Sequence, residues 1–242
     1  MPELYLVVGL SLAAGMAMPA GAIFARLDQL HPAWIDTEWR HFIVAFGGGA
    51  LLAAVALVLV PDGVAELSIA PTAIAFALGG LFFFALDVLL DRFNSPAGQL
   101  VAMLADFIPE AMALGAAFAY GKDTGLLIAI LIVLQNLPEG FNAFEEVTES
   151  SSVKPGKIIA AFIGMALIGP LAAVSGYLYL ADYPALLAFV MLFASGGIVY
   201  LIFDDIAPQA KLEKTWMPAL GAVAGFLLGL IGSMLSSGGH GL

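Results

Sequence analysis

Long apolar stretches, separated by charged residues or by groups of Pro, Gly and Ser, fill almost the whole chain. A helix needs about 20 apolar residues to cross the hydrocarbon core of a bilayer. The runs are continuous, unlike the roughly ten-residue alternating segments of a membrane β-barrel, so they predict an all-α membrane protein. Its eight predicted transmembrane helices lie near residues 4–25, 42–62, 71–91, 98–119, 124–146, 157–180, 184–206 and 216–236.

The composition agrees with this pattern and excludes several classes of protein. Hydrophobic residues make up 62% of the 242 residues and charged residues 11%, against about 45–50% and 25% in soluble domains. A soluble enzyme is therefore excluded, and the excess of 19 acidic over 8 basic residues argues against nucleic-acid binding. The absence of cysteine excludes thiolate metal sites. Residues 1–242 are predicted to form a single transmembrane domain whose first helix is a retained span and not a signal peptide.

The basic residues predict the orientation of the helices. Seven of the eight Lys and Arg residues lie in the loops after spans one, three, five and seven. Cytoplasmic loops carry the excess of positive charge, so these four loops should be cytoplasmic and both termini extracytoplasmic. Lys122 alone falls on the other side. We expect a multi-pass protein of a cell membrane, most simply the bacterial inner membrane.

Spans two and seven share a pattern that indicates an internal repeat. When Phe46 is aligned with Phe193, the small residues that follow match and Pro61 falls on Pro208, at a constant offset of 147. The two spans cross the membrane in opposite directions, so the repeat would be inverted, as in many secondary transporters. The alternative is chance similarity between two helices rich in Gly and Ala. The predicted plan is three, two and three helices.

The two central helices resemble each other more closely. Residues 106–111 and 135–140 both read polar, any residue, aliphatic, Pro, Glu, small. Positions four apart share a helix face, so each helix presents two oxygen-bearing side chains. If spans four and five are antiparallel, Asp106 lies level with Glu139 and Glu110 level with Gln135. Asn142, one turn beyond Glu139, could join them.

Carboxylates at this depth require an explanation. Each costs about 2.5–3.5 kcal/mol to insert at the centre of a helix and usually marks an ion or proton pathway. Pro109 and Pro138 also leave the carbonyls of Ala105 and Leu134 without their helical hydrogen bonds. A divalent cation would neutralise the carboxylates, and all-oxygen ligation favours Mg²⁺, Ca²⁺ or Mn²⁺. The alternative is a pair of protonated carboxyls that hydrogen-bond the helices together.

These motifs resemble the two metal-binding signatures of the ZIP family of metal transporters, His-Asn-x-Pro-Glu-Gly in helix four and its counterpart in helix five. The eight spans, the outside termini and the three-two-three plan also resemble that family. The resemblance implies a metal between helices four and five, held by Glu110 and Glu139. Asp106 and Gln135 stand where the family has histidines, so both histidines are missing.

The missing histidines change the expected metal chemistry. Phe107 and Asn136 also replace ligands of the second metal in binuclear members, so the site should be mononuclear. Replacing imidazole by carboxylate and amide shifts preference toward harder cations. Mn²⁺ and Fe²⁺ therefore rank equal with Zn²⁺ as candidate substrates, and Mg²⁺ and Ca²⁺ remain candidates.

The predicted function is transport of a divalent metal cation toward the cytoplasm, with no catalysis and no cofactor. One alternative is a proton-coupled transporter of a small organic solute that uses the same carboxylates. A membrane hydrolase is a weaker alternative, because the Ser/His and metal-binding motifs of such enzymes are missing.

Two further patterns leave alternatives open. Asp62 and Glu66, at the outer end of span two, could gather cations at an entrance, although acidic residues in outside loops need no function. Gly221, Gly225 and Gly229 have the four-residue spacing that lets helices approach closely. They could form the seam of a homodimer or pack within one subunit.

Overall fold

The computed structural model describes residues 2–30, 37–93, 97–120, 122–211 and 215–237, and in these residues the chain is all α. Within the helices, some side chains lie outside the description, that of Asp106 among them. We number eight helices in chain order, joining segments that run on as one helix. They are α1 (Pro2–Leu30), α2 (Thr37–Glu66), α3 (Ile69–Phe93), α4 (Ala97–Tyr120), α5 (Lys122–Ser150), α6 (Pro155–Leu180), α7 (Pro184–Ala210) and α8 (Met217–Ser237).

The helices confirm a multi-pass, all-α membrane protein. Seven of them are long and apolar enough to cross a bilayer, and α4 has a shorter apolar stretch, Phe107–Ala119, among its described residues. Several helices are longer than their predicted spans: α1 continues to Leu30 and α5 to Ser150. Hydropathy reports only the part of a helix inside the hydrocarbon core, whereas backbone hydrogen bonds continue into polar residues beyond it.

The helices pack in two groups of four. In the first group, α1 packs along α5 and α6, and α4 packs against α5 and α6. In the second group, α2 packs along α8, α3 packs along α7, and α2 also contacts α7. The largest buried apolar cluster lies mainly in the first group and includes Met18, Phe107, Phe144 and Phe162. The central helices α4 and α5 are therefore packed largely against other helices of the chain.

The glycine stripe of α8 packs within the chain. Gly221 lies against the backbone of Phe42 and Gly225 against that of Phe46, both on α2. A Cβ atom at either glycine would clash with a backbone carbonyl oxygen there. The stripe thus serves the contact between α2 and α8, and a homodimer stays a prediction.

The described residues contain three π-helical segments: one is Gly176–Leu180 of α6, and the other two each end two residues before a proline. The one in α2 is Val55–Leu59, ahead of Pro61, and the one in α7 is Ile202–Ile206, ahead of Pro208. Proline has no N–H to donate to the preceding turn, so the hydrogen-bond pattern around it is disrupted. Such π segments are often found at functional sites. The sequence shows the two matched prolines, but it did not predict the π geometry beside them.

Candidate metal site

The structure brings Glu110 of α4 and Gln135 of α5 into direct contact. Their exposed fractions are 3% and 1%. The Gln135 Nε2 atom donates to both carboxylate oxygens of Glu110, at 2.5 Å from Oε1. This contact matches the predicted register, in which Glu110 lies level with Gln135. A carboxylate and an amide thus meet inside the protein, at the interface of the two Pro-Glu helices.

The amide oxygen of Gln135 is the notable atom of this pair. It is buried and has no hydrogen-bond partner within the described structure. The carboxylate fixes the orientation of the amide, because only the NH₂ group can donate to it. A buried acceptor left unsatisfied costs about 1–3 kcal/mol, so such atoms call for an explanation. Amide oxygens are also ordinary ligands of hard divalent cations.

A small void adjoins Glu110 on the side of α2. Its volume is about 10 Å³, and its lining includes Val58 and Leu59 of the π segment and Leu131 of α5. A void of about 10–15 Å³ is the least that holds one water molecule. The Glu110 carboxylate therefore lies between a polar partner on α5 and the irregular segment of α2.

The other predicted ligands are described less completely. Glu139 and Asn142 are both half-buried on α5, and the Asp106 side chain lies outside the described residues. Among the described side chains, no group of three or more His, Asp or Glu residues could hold a metal ion. Convergence of all five predicted ligands stays a prediction. It would depend on Asp106 and on amide oxygens as much as on the two glutamates.

Close backbone packing holds the motif of α5 in place. Asn136 is buried, and its Nδ2 atom donates to the Ala14 carbonyl of α1 at 3.0 Å. Gly21 of α1 lies against the Leu137 carbonyl, and Gly140 of α5 lies against the Met18 carbonyl. A Cβ atom at either glycine would force the two helices apart. The turn around Pro138 is therefore clamped against α1.

A second cavity contains the two acidic residues of the predicted entrance. It has a volume of about 280 Å³ and lies where α2, α4 and α7 meet, lined by Asp62, Glu66, Ala117, Pro184 and Met191. Asp62 and Glu66 sit one turn apart on α2, just beyond its π segment. The cavity thus places two carboxylates beside α4, the helix that carries Glu110.

An ion-pair network at the far end of α5 was missed by sequence reasoning. Arg40 of α2 binds Asp28 of α1 and also Glu145 of α5, with 2.7 Å between Nη1 and Oε1 in the second pair. The Asp28 side chain is completely buried. The sequence contained a signal, because Ala22, Ala25 and Asp28 follow one another at three-residue spacing on one helix face. Because the first span was predicted to end at residue 25, Asp28 was assigned to a loop and its place on the helix was missed.

Comparison with known proteins agrees with the motifs. No protein-family model matches the chain. The chain is 25% identical over 196 residues to a protein of Arabidopsis thaliana named "Putative zinc transporter". The match covers 75% of this chain but 31% of the relative, so this chain spans about a third of that protein's length. The resemblance to metal transporters indicated by the Pro-Glu motifs is confirmed by this similarity.

Proposed function

We propose that the chain is a ZIP-type transporter that carries a divalent metal cation across the membrane toward the cytoplasm. One observation carries this proposal: a buried carboxylate, Glu110, meets a buried amide, Gln135, whose oxygen lacks a hydrogen-bond partner in the described structure. A carboxylate inside a membrane helix normally serves an ion or proton pathway. The two side chains come from the two matching motifs, which supports a site shared by α4 and α5.

The proposed site is mononuclear and oxygen-rich. Glu110 and Gln135 form its core, and Asp106, Glu139 and Asn142 supply the remaining side-chain oxygens. The cation would replace the Gln135 N–H groups as the partner of Glu110, and the amide oxygen would become a ligand. In transit the ion exchanges part of its hydration shell for these oxygens, so its desolvation is offset at the centre of the protein.

The donor types set the proposed order of metals. The relative is named for zinc, but zinc sites usually contain imidazole or thiolate, and the five proposed side chains contain neither. Carboxylate and amide oxygens suit harder ions. We therefore rank Mn²⁺ and Fe²⁺ equal with Zn²⁺ and keep Mg²⁺ and Ca²⁺ as candidates.

An inverted repeat of three, two and three helices is part of the proposal. The π segments Val55–Leu59 and Ile202–Ile206 support it, because they are 147 residues apart, the offset that aligns Pro61 with Pro208. Packing supports it too, because α2 pairs with α8 as α7 pairs with α3.

The repeat extends to single contacts. Gly225 of α8 lies against the Phe46 carbonyl, and Gly79 of α3 lies against the Phe193 carbonyl, where Phe46 and Phe193 are the aligned residues. In inverted-repeat transporters, the two halves rock about a site near the midplane of the bilayer. The Glu110–Gln135 pair would occupy that place.

The proposed orientation has both termini outside the cell. The loops rich in Lys and Arg are then cytoplasmic, and the cavity at Asp62 and Glu66 opens on the outer side. A cation would be attracted to these carboxylates, pass the π segment of α2 and reach Glu110. This route supports uptake toward the cytoplasm.

Metal uptake by liposomes tests the proposal. The purified full chain is reconstituted around a metal-sensitive dye, and uptake is measured for Mn²⁺, Fe²⁺, Zn²⁺, Mg²⁺ and Ca²⁺. We expect Glu110→Ala and Glu139→Ala to reduce uptake by about 100-fold, because even the loss of a residue that supports a metal ligand costs about 10–100-fold. Glu149→Ala, an exposed glutamate on the same helix, is the matched control and should transport normally.

Two results would overturn the proposal. One is unchanged metal uptake in both glutamate variants. The other is uptake of an organic solute driven by a pH gradient without metal, which would support the proton-coupled alternative.

A further inference from the structure

An apolar groove lies on the outside of the helix group formed by α2, α7 and α8. Its volume is about 740 Å³, within the range of about 300–1,000 Å³ typical of ligand pockets. Its floor is the small-residue stretch of α2, with Gly48 and Gly49, and its walls are formed by α7 and α8. Phe203 on one wall and Val223 on the other are 70% and 63% exposed, so the groove is open to its surroundings.

The length of the groove matches one leaflet of a bilayer. Its lining on α8 runs from Pro218 to Leu230, which at about 1.5 Å per residue is roughly 18 Å. On α7 the lining runs from Ile202 to Lys211, or roughly 14 Å by the same rise. Half of the hydrocarbon core is about 15 Å thick. An acyl chain, which reaches from the headgroup to the middle of the bilayer, fits a groove of this length.

A lysine stands at the end of the groove that faces the membrane surface. Among the described lining residues, Lys211 alone is charged. It is exposed, and none of the ion pairs in the described structure involves it. Trp216, at the same end of the groove, is 85% exposed, and Trp is enriched at membrane–water interfaces. The groove therefore begins at headgroup level with a positive charge and continues into the core without polar groups.

We propose that this groove binds an anionic phospholipid, with one acyl chain along α7 and α8 and the phosphate at Lys211. The apolar walls match the chain, and the lysine matches the headgroup charge, since basic residues near the surface attract anionic lipids. The bound chain lies against the π segment Ile202–Ile206 of α7. This site is separate from the Glu110–Gln135 pair and is independent of which solute is carried.

Native mass spectrometry of the purified full chain tests this site. The protein is equilibrated in detergent with equal amounts of phosphatidylglycerol and phosphatidylcholine, and retained lipids are counted. We expect one phosphatidylglycerol per chain. Lys211→Ala should reduce the preference for phosphatidylglycerol about fivefold, the effect of one basic residue near the surface. Ala219→Phe, which fills the groove, should abolish retention.

Matched controls separate the groove from general lipid contact. Lys154→Ala removes another exposed lysine, and Ala77→Phe enlarges an exposed alanine of α3 outside the groove. Both should retain phosphatidylglycerol as the unmodified chain does. Equal retention by the Ala219→Phe chain, or equal loss in the Lys154→Ala and Lys211→Ala chains, would overturn the proposal. So would a dimer that Ala219→Phe dissociates, because the occupant would then be a second copy.

Discussion

Two buried carboxylates of this molecule, Asp28 and Glu110, have different partners. Asp28, at the end of α1, is bound by the guanidinium of Arg40, which also binds Glu145. Glu110, in the middle of α4, is bound by the neutral amide of Gln135. A guanidinium compensates a buried negative charge, whereas an amide supplies hydrogen bonds without charge. Burial is nearly the same in the two places, but Asp28 has a charged guanidinium among its partners and Glu110 has a neutral amide among its partners.

This difference agrees with a structural role for the Arg40 network and with the proposed binding role of the Glu110–Gln135 pair. The Arg40 network joins α1, α2 and α5, and the Arg40 side chain supplies its positive charge. The Glu110–Gln135 contact leaves an amide oxygen without a hydrogen bond, which a cation would satisfy. We therefore expect substitutions in the Arg40 network to act mainly on stability and substitutions in the Glu110 pair to act mainly on transport.

The largest effect is expected for Arg40→Ala. Removing the guanidinium takes away a positive partner of the buried Asp28. Breaking a buried pair costs about 3–5 kcal/mol, and we expect the lower end of that range because the Arg40 side chain is partly exposed. Thermal unfolding of the purified protein in detergent should show a large decrease in melting temperature. Lys154→Ala, at an exposed lysine, is the control. A melting temperature as high as that of this control would show that the network contributes little.

Glu110→Gln should give the opposite profile. The substituted amide keeps the shape and can still hydrogen-bond Gln135, so the melting temperature should change little. Metal uptake in liposomes should fall by about 100-fold, or roughly 2.7 kcal/mol, because the site loses a charged ligand. If Glu110→Gln unfolded as readily as Arg40→Ala while its folded fraction still transported metal, the distinction between the two carboxylates would be wrong.

Gln135→His tests the ligand chemistry of the pair. Imidazole favours Zn²⁺ over harder ions, and histidine is what the ZIP resemblance predicts at this position. We expect the preference for Zn²⁺ over Mn²⁺ to rise about tenfold, or roughly 1.4 kcal/mol. Competition between the two metals in the liposome assay measures this ratio. An unchanged ratio, with transport intact, would exclude Gln135 from the ligands.

Asn136→Ala should have the smallest effect. It removes the hydrogen bond to the Ala14 carbonyl, and a single hydrogen bond contributes about 1 kcal/mol. The melting temperature should decrease slightly, and the order of preferred metals should stay the same. A changed order of metals would indicate that Asn136 acts on the ion itself and not only on the contact between α1 and α5.

Most of the fold could be predicted from hydropathy, because lipid demands long apolar helices with every backbone group hydrogen-bonded internally. The ends of the helices could not, since polar residues extend α1 to Leu30 and α5 to Ser150 without a change in backbone geometry. The π segments were also missed. Pro61 and Pro208 marked the places of those in α2 and α7, but a proline alone does not distinguish a π segment from a kink.

The candidate site was only partly accessible to sequence reasoning. The antiparallel pairing of the two motifs placed Glu110 level with Gln135, and the structure has them in contact. The same reasoning treated Arg40 as a marker of topology and overlooked Asp28, because their pairing joins different helices. Contacts between helices depend on how the helices rotate and approach one another, and a single sequence with helical periodicity reports only which residues share a face.

The central claim is that a cation binds between α4 and α5, and anomalous X-ray scattering from crystals soaked in Mn²⁺ or Zn²⁺ tests it most directly. We expect one anomalous peak within bonding distance of the Glu110 carboxylate and the Gln135 amide oxygen, and no such peak in Glu110→Ala crystals soaked in the same way. An organic ligand at that position, or a peak that persists unchanged without the Glu110 side chain, would contradict the account.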